Sequence, residues 1–272
     1  MSNWFLKQLL ANNDFILDAF NEDLHPRDEL GRFVRKLHAV RTSWQDDFPN
    51  TIIDRRLGDA TSHSDYLLAK SGDVESAFRL AKDLITDDAI AKLANLIGDK
   101  EVVFAPVHAE ESSGRNMIPL ATAHILSRRL NCLIDTTVVQ ATKVSRTSGN
   151  GWHRLAYPPK FDGKITGKYV IMVDDTQTQG GTFAAFKGHI EQSGATVIGA
   201  YALTGKQYSS QLRLSAETLS ELRKSYGAIE KFWYELFGYD FSKLTEWEAR
   251  FIINSRKRAD EVRDTILATK QN

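Results

Sequence analysis

The residues best suited to chemistry are Asp174 and Asp175, adjacent carboxylates that end the apolar run "YVIMV" (169–173) and are followed by "TQTQGGT" (176–182). Paired carboxylates accept hydrogen bonds from neighbouring hydroxyls or hold a hard divalent cation. Thr176, Gln177, Thr178, Gln179, Gly180, Gly181 and Thr182 bring two glycines and short polar side chains directly before a helical stretch. That composition can curl backbone N–H groups around a phosphate at the helix N-terminus. Two carboxylates repel a bare phosphate, so a ligand suited to both halves offers hydroxyls to the acid pair and a phosphate to the loop. A ribose 5-phosphate does both. Competing phosphate motifs are missing: there is no G-x-x-x-x-G-K-[ST] and no G-x-G-x-x-G after a first strand with a downstream acid. The same residues can also merely finish a strand and turn into a helix. Strand, acid pair, glycine loop and amphipathic helix in that order weigh for a ligand.

Such a pair needs a rigid support, and the flanking sequence alternates strands with helices. "VESAFRLAKDLI" puts Ala77, Phe78, Ala81, Leu84 and Ile85 on one helical face, and "EVVFAPV" (101–107) reads as a short buried strand. Helix "MIPLATAHILSRRL", with Pro119 in its first turn, leads into the β-branched stretch "CLIDTTVVQ" (132–140), read as a strand. A polar, glycine-containing loop from Lys143 to about Gly167 precedes strand "KYVIMVDD", helix "FAAFKGHIEQSG" and strand "ATVIGAYAL". The expected fold class is α/β, a parallel β-sheet flanked by helices, with helical N- and C-terminal extensions. The chain divides into a mainly helical accessory segment (1–73) with no clear strand signal, an α/β core (74–206) and a helical C-terminal extension (207–272). Sheets of this kind bind ligands beyond the carboxyl ends of their strands, where Asp174 and Asp175 are expected to sit.

At 272 residues, 42% hydrophobic and 26% charged, the chain can bury one sizeable core and a smaller appendage. Thirty-five basic residues balance thirty-five acidic ones, so net charge gives no indication of nucleic acid or an anionic membrane as partner. The single cysteine, Cys132, lies in an apolar stretch and reads as a buried small hydrophobe. Alone, it excludes a disulfide or a cysteine-based zinc site within the chain. His63, His108, His124 and His189 lack metal-ligand spacing. With neither a leader pattern nor an apolar run long enough to span a bilayer, the expectation is a cytoplasmic protein with no membrane partner.

"VIMVDDTQTQGGT" resembles the phosphoribosyl diphosphate (PRPP) binding motif of type I phosphoribosyltransferases, and residues 101–205 follow that family's order of elements. "VHAEESSGRNMIP", "VVQ", "RLAYPPKFDG" and "VDDTQTQGGT" together are similar to the members carried by phage-like and other mobile elements, sometimes inside larger polyvalent proteins. The resemblance implies that Asp174 and Asp175 hydrogen-bond the ribose 2- and 3-hydroxyls and that Thr178 to Thr182 hold the 5-phosphate. It also implies a pyrophosphate loop at His108, Ala109, Glu110, Glu111 and Ser112, in which the two glutamates are unusual. They either bind Mg²⁺ through water or point away. Gln179 stands where members often have Thr or Ala, and Thr178 where purine-salvage members often have an acid. The implied chemistry releases diphosphate from the anomeric carbon, with Mg²⁺ as cofactor and the acid pair among its ligands.

A ribosyl cation must be kept from water, and "KVSRTSGNGWHRLAYPPKFDG" is the candidate lid, with Gly149 and Gly151 as hinges. Lys143, Arg146, His153 or Arg154 could reach the diphosphate, and Arg154 is the favoured one. The acceptor hood could come from residues 1–70 or from the C-terminal extension. In the extension, Thr245 and Glu248 fit a capping box, and Phe232, Trp233, Tyr234 and Phe237 read as packing. Arg256, Lys257 and Arg258, interleaved with Glu248, Asp260 and Glu261, read as a solvated face. Three functions are consistent with these residues: a phosphoribosyltransferase, as a monomer or a homodimer, using PRPP and a small nitrogenous acceptor; a PRPP or nucleotide sensor; and an interaction protein on the same scaffold.

Overall fold

The run Val170–Val173 is buried on both sides because alternate residues of a strand point to opposite faces, and here each face carries its own apolar layer. The structure is a computed structural model and describes residues 39–108, 110–111, 114–141 and 150–271, with backbone only at 110–111. In chain order the strands are β1 (Ile52–Arg56), β2 (Val102–Pro106), β3 (Glu110–Glu111), β4 (Gly114–Arg115), β5 (Leu133–Ile134), β6 (Val139–Gln140), β7 (Phe161–Asp162), β8 (Tyr169–Gln177) and β9 (Thr196–Gly205). The helices are α1 (Tyr66–Ser71), α2 (Val74–Leu84), α3 (Asp87–Ile97), α4 (Ile118–Leu130), α5 (Gly151–Ala156), α6 (Gly181–Gln192), α7 (Ala216–Tyr226), α8 (Glu230–Phe237), α9 (Glu246–Asn254) and α10 (Ala259–Gln271). β1, β9, β8, β2 and β5 form, in that order, a parallel five-stranded sheet flanked by helices, as expected from the sequence.

On one face Phe104, Ile171, Val173, Tyr201 and Leu203 meet Phe78, Leu93, Ile118 and Leu126 from α2, α3 and α4. On the other, Val103, Val170, Met172 and Ala202 meet Phe183, Phe186 and Ile190 of α6. The C-terminal extension has its own apolar cluster, built around the fully buried Trp233 and including Leu155 and Ala156 of α5. Trp233 and Phe237 are buried side by side and the partly buried Phe232 packs on the same cluster, as expected, but Tyr234 is exposed and takes no part in that packing.

Residues 39–48 strap α6 to this extension. Arg41 makes a bidentate pair with Glu248, with Nη1 to Oε2 at 2.5 Å and Nη2 to Oε1 at 2.8 Å, both side chains buried. Lys187 of α6 donates to Thr42 Oγ1 and Ser43 O at 3.0 and 2.9 Å. Gly188 is required where the strap crosses, since a Cβ there would strike the backbone of Val40 and Arg41.

Three sequence expectations change. Residues 52–56, where no strand signal was found, form β1 at the edge of the sheet, paired with β9 from Ile52↔Tyr201 to Arg56↔Gly205. The stretch 132–140 is two short strands, because Asp135 accepts hydrogen bonds from the N–H and hydroxyl groups of both Thr137 and Thr166 and turns the chain there. Glu248 faces Arg41 in the interior and is no part of a solvated face, although its capping box with Thr245 is formed. The helical start read in the accessory segment falls in residues 1–38, outside the described residues.

Candidate functional site

β8 outruns its neighbour β2. Their pairing ends at Pro106↔Val173, whereas β9 stays paired with β8 through Asp174↔Ala202, Thr176↔Thr204 and Gln177↔Gly205. From β2 the chain moves outward to β5 and then returns to β8 on the other side of β2, so the strand order reverses between β2 and β8. A crevice at the carboxyl end of such a reversal is where open α/β sheets bind ligands. Asp174 and Asp175 border it. They sit inside β8, two residues before its end, and not at its terminus as the sequence suggested.

Both carboxylates are largely buried. Asp175 Oδ2 accepts Lys70 Nζ at 3.0 Å and Asn116 Nδ2 at 2.9 Å, and the Asp175 N–H donates to Asp174 Oδ1 at 2.8 Å. Burial pushes the Asp174 carboxyl well above the usual carboxylate range, and the charge of Asp175 beside it pushes the same way. Burial also works to raise Asp175. The Lys70 cation and the hydrogen bonds from Lys70 and Asn116 outweigh it, and Asp175 is held below its ordinary value. The two carboxyls titrate as a coupled pair, with Asp174 shifted toward the protonated form and Asp175 toward the ionised one.

Lys70 reaches the site from α1, and the fit is tight. The Met117 N–H donates to Ala69 O at 3.1 Å, and Gly114, at φ +126°, lies so close to Ser71 that a Cβ would collide with the Ser71 carbonyl. Neither Lys70 nor Asn116 was singled out from the sequence. On α1 Leu67 and Leu68 are exposed while Lys70 is buried, the reverse of what polarity alone indicates for these three.

The loop after the acid pair is shorter than expected. Thr176 and Gln177 belong to β8: Thr176 Oγ1 meets Thr204 Oγ1 at 3.0 Å, and the buried Gln177 side chain donates from Nε2 to Ser209 O. Both act in the sheet and do not line a phosphate cradle. The turn itself is Thr178 to Gly180, with α6 starting at Gly181 and carrying Thr182 in its first turn. Gly180 has φ +78°, and a Cβ on it would strike Leu212, so glycine is needed there on two grounds. No side chain caps α6. Gln179 O accepts Thr245 Oγ1 at 2.5 Å, and Gln179 Oε1 accepts Arg154 Nε at 3.2 Å. The C-terminal extension and α5 thus cover the turn, and Arg154 meets it directly. Arg154 is half-buried, and burial lowers its pKa from the usual guanidinium value.

After β2, His108 is buried and its carbonyl accepts the Gln140 N–H at 2.8 Å. Ala109 and Ser112 lie outside the described residues, as do the side chains of Glu110 and Glu111, whose backbone pairs with Arg115 and Gly114. Lys143, Arg146 and Gly149 also lie outside them. Gly151 is not shaped as a hinge. It is buried at the start of α5, where a Cβ would enter the Phe251 ring. His153 packs against Tyr157, with ring centroids 4.8 Å apart.

Among the described residues, no group of three or more His, Cys, Asp or Glu side chains could hold a metal ion. The acid pair fits poorly as a direct Mg²⁺ ligand, because the Lys70 ammonium and the Asn116 amide already occupy Asp175 Oδ2 and the remaining oxygens lie beside that buried positive charge. No described helix is long and apolar enough to cross a membrane.

The chain is 60% identical over 152 residues to an uncharacterised protein of Haemophilus influenzae, covering 56% of this chain and 34% of that protein. It is 39% identical over 234 residues to Protein TraN of Escherichia coli, covering 85% of this chain and 52% of that protein. It therefore spans between a third and about half the length of the curated relatives it matches. No family model matches. Three phosphoribosyltransferase structures overlay weakly. An adenine phosphoribosyltransferase aligns with 53% of this chain and 76% of its own at 15% identity and a TM-score of 0.30. The adenine enzyme of Leishmania donovani aligns with 61% and 75% at 13% identity and 0.30, and the purine enzyme of Pyrococcus horikoshii with 44% and 83% at 19% identity and 0.26.

Proposed function

We propose that this chain binds the ribose 5-phosphate part of PRPP and transfers it to a nitrogenous acceptor, releasing diphosphate. The observation that carries the reading is the adjacent buried Asp174 and Asp175 at the β2/β8 crevice, a short turn away from the uncapped, glycine-led N-terminus of α6. The sequence resemblance at residues 171–182 supports the same ligand.

In this reaction the bond from the anomeric carbon to the diphosphate oxygen breaks, a carbon–nitrogen bond forms, and the acceptor loses a proton. Asp175, fixed as an anion by Lys70 and Asn116, accepts one ribose hydroxyl while Asp174 takes the other. The charge favoured on Asp175 also lies near the ring as it becomes cationic. The amides at the start of α6 and the partial positive charge of its N-terminus hold the 5-phosphate. Arg154, hydrogen-bonded to Gln179 in the turn, is assigned to the leaving diphosphate. Mg²⁺ supplies charge neutralisation on diphosphate oxygens in such chemistry, and the acid pair does not hold it directly.

The test is equilibrium binding of PRPP to the wild type and to Asp174→Asn/Asp175→Asn, followed by a diphosphate-release assay with a panel of nitrogenous bases. Saturable binding that the double variant loses, together with release, supports the transferase. Binding without release favours a sensor. Absence of binding to the wild type removes the PRPP reading and leaves the interaction protein.

A further inference from the structure

We infer that Lys70 and Asn116 are positioning residues that commit the acid pair to a vicinal diol and exclude a divalent cation from it. A carboxylate oxygen has two lone-pair sites, and Asp175 Oδ2 meets two donors, Lys70 Nζ at 3.0 Å and Asn116 Nδ2 at 2.9 Å. Asp174 Oδ1 accepts the Asp175 N–H. Beyond these contacts each of the two adjacent carboxylates keeps a second oxygen, Asp175 Oδ1 and Asp174 Oδ2, and the two side chains also interact with each other. That arrangement matches two neighbouring hydroxyls, each donating to a separate carboxylate.

A Mg²⁺ bound to the pair would meet the opposite conditions. It takes carboxylate oxygens at about 2.0–2.1 Å in a near-octahedral shell, which would bring two positive charges close to a buried ammonium. Lys70 cannot readily withdraw, because α1 is locked to the strand leading to Asn116 by the Met117–Ala69 hydrogen bond and by the Gly114–Ser71 contact. Any divalent cation that accompanies a diphosphate ligand is therefore held by the ligand's own oxygens and by groups other than Asp174 and Asp175.

The diol half of this inference rests on the proposed ribose phosphate reading; the metal half does not. Two measurements separate them. The first counts free Mn²⁺ by its paramagnetic resonance as protein is added. The expected result is no Asp175-dependent binding in the wild type, a new site in Lys70→Met, and loss of that site in Lys70→Met/Asp175→Asn. A wild-type Mn²⁺ site that Asp175→Asn abolishes would overturn the inference, as would the failure of Lys70→Met to gain one.

The second measures ribose 5-phosphate affinity without metal by calorimetry. Lys70→Met should weaken it about tenfold or more, Asn116→Leu should weaken it without creating a Mn²⁺ site, and Lys70→Arg should restore most of it. Wild-type affinity in Lys70→Met would overturn the positioning role. No binding to the wild type would count against the ribose phosphate reading alone, with the Mn²⁺ result still deciding the metal half. If Lys70→Met does not fold, Lys70→Gln carries the same two measurements.

Discussion

Gly180 is the residue with the least freedom in the site. Its φ of +78° disfavours any side chain, and a methyl group there would press on Leu212. Gly180→Ala should therefore cost about 1–3 kcal/mol of stability, read as a lower urea midpoint with unchanged slope. His124 predicts a pH effect of definite sign. Burial, aided by the charge of Arg128, lowers its pKa from 6.5 to about 4. The unfolded imidazole takes up a proton near 6.5 and the folded one does not, so stability falls as pH drops from about 6.5 to about 4 and this contribution levels off below that. The full effect is on the order of 3 kcal/mol, and His124→Gln should flatten that part of a plot of urea midpoint against pH. Asp174 and Asp175 were legible in the sequence because charge at the end of an otherwise apolar strand requires a reason. Lys70 was not, since a lysine on a six-residue helix reads as solvated and only the tertiary approach of α1 to Asn116 buries it.

Elements with strong periodicity were readable: α2, α4, β2, β8 and β9 all lie close to where their patterns placed them. β1 failed for a physical reason. As an edge strand it buries only Ile53 among five residues, three of which are charged, so neither alternation nor an apolar run marks it. The division of 132–140 by Asp135 likewise depends on partners at Thr166, far along the chain. The strap of residues 39–48 carries the clearest prediction at this scale. Removing one partner of the Arg41–Glu248 pair leaves a buried charge, so Glu248→Leu should destabilise by about 3–5 kcal/mol, whereas Arg41→Met/Glu248→Leu should recover much of that loss. A double-mutant cycle in urea measures the difference.

For the molecule as a whole, the ligand should act as a stabiliser. PRPP at about 100 times its dissociation constant should add roughly 2.7 kcal/mol and raise the unfolding midpoint by a few degrees. Asp174→Asn/Asp175→Asn should show no such shift in a thermal scan. The α/β core and the extension keep separate apolar clusters yet meet at the turn through Thr245 and Gln179, so ligand bound there would strengthen the whole assembly and not the core alone. The same arrangement constrains the order of events during synthesis. Arg41 and Glu248 are 207 positions apart, and at about 5–20 residues per second a ribosome needs roughly 10–40 s to pass from one to the other. Through that interval the strap can reach Glu191 of α6 once that helix is made, but Arg41 has no partner for its buried charge until Glu248 emerges.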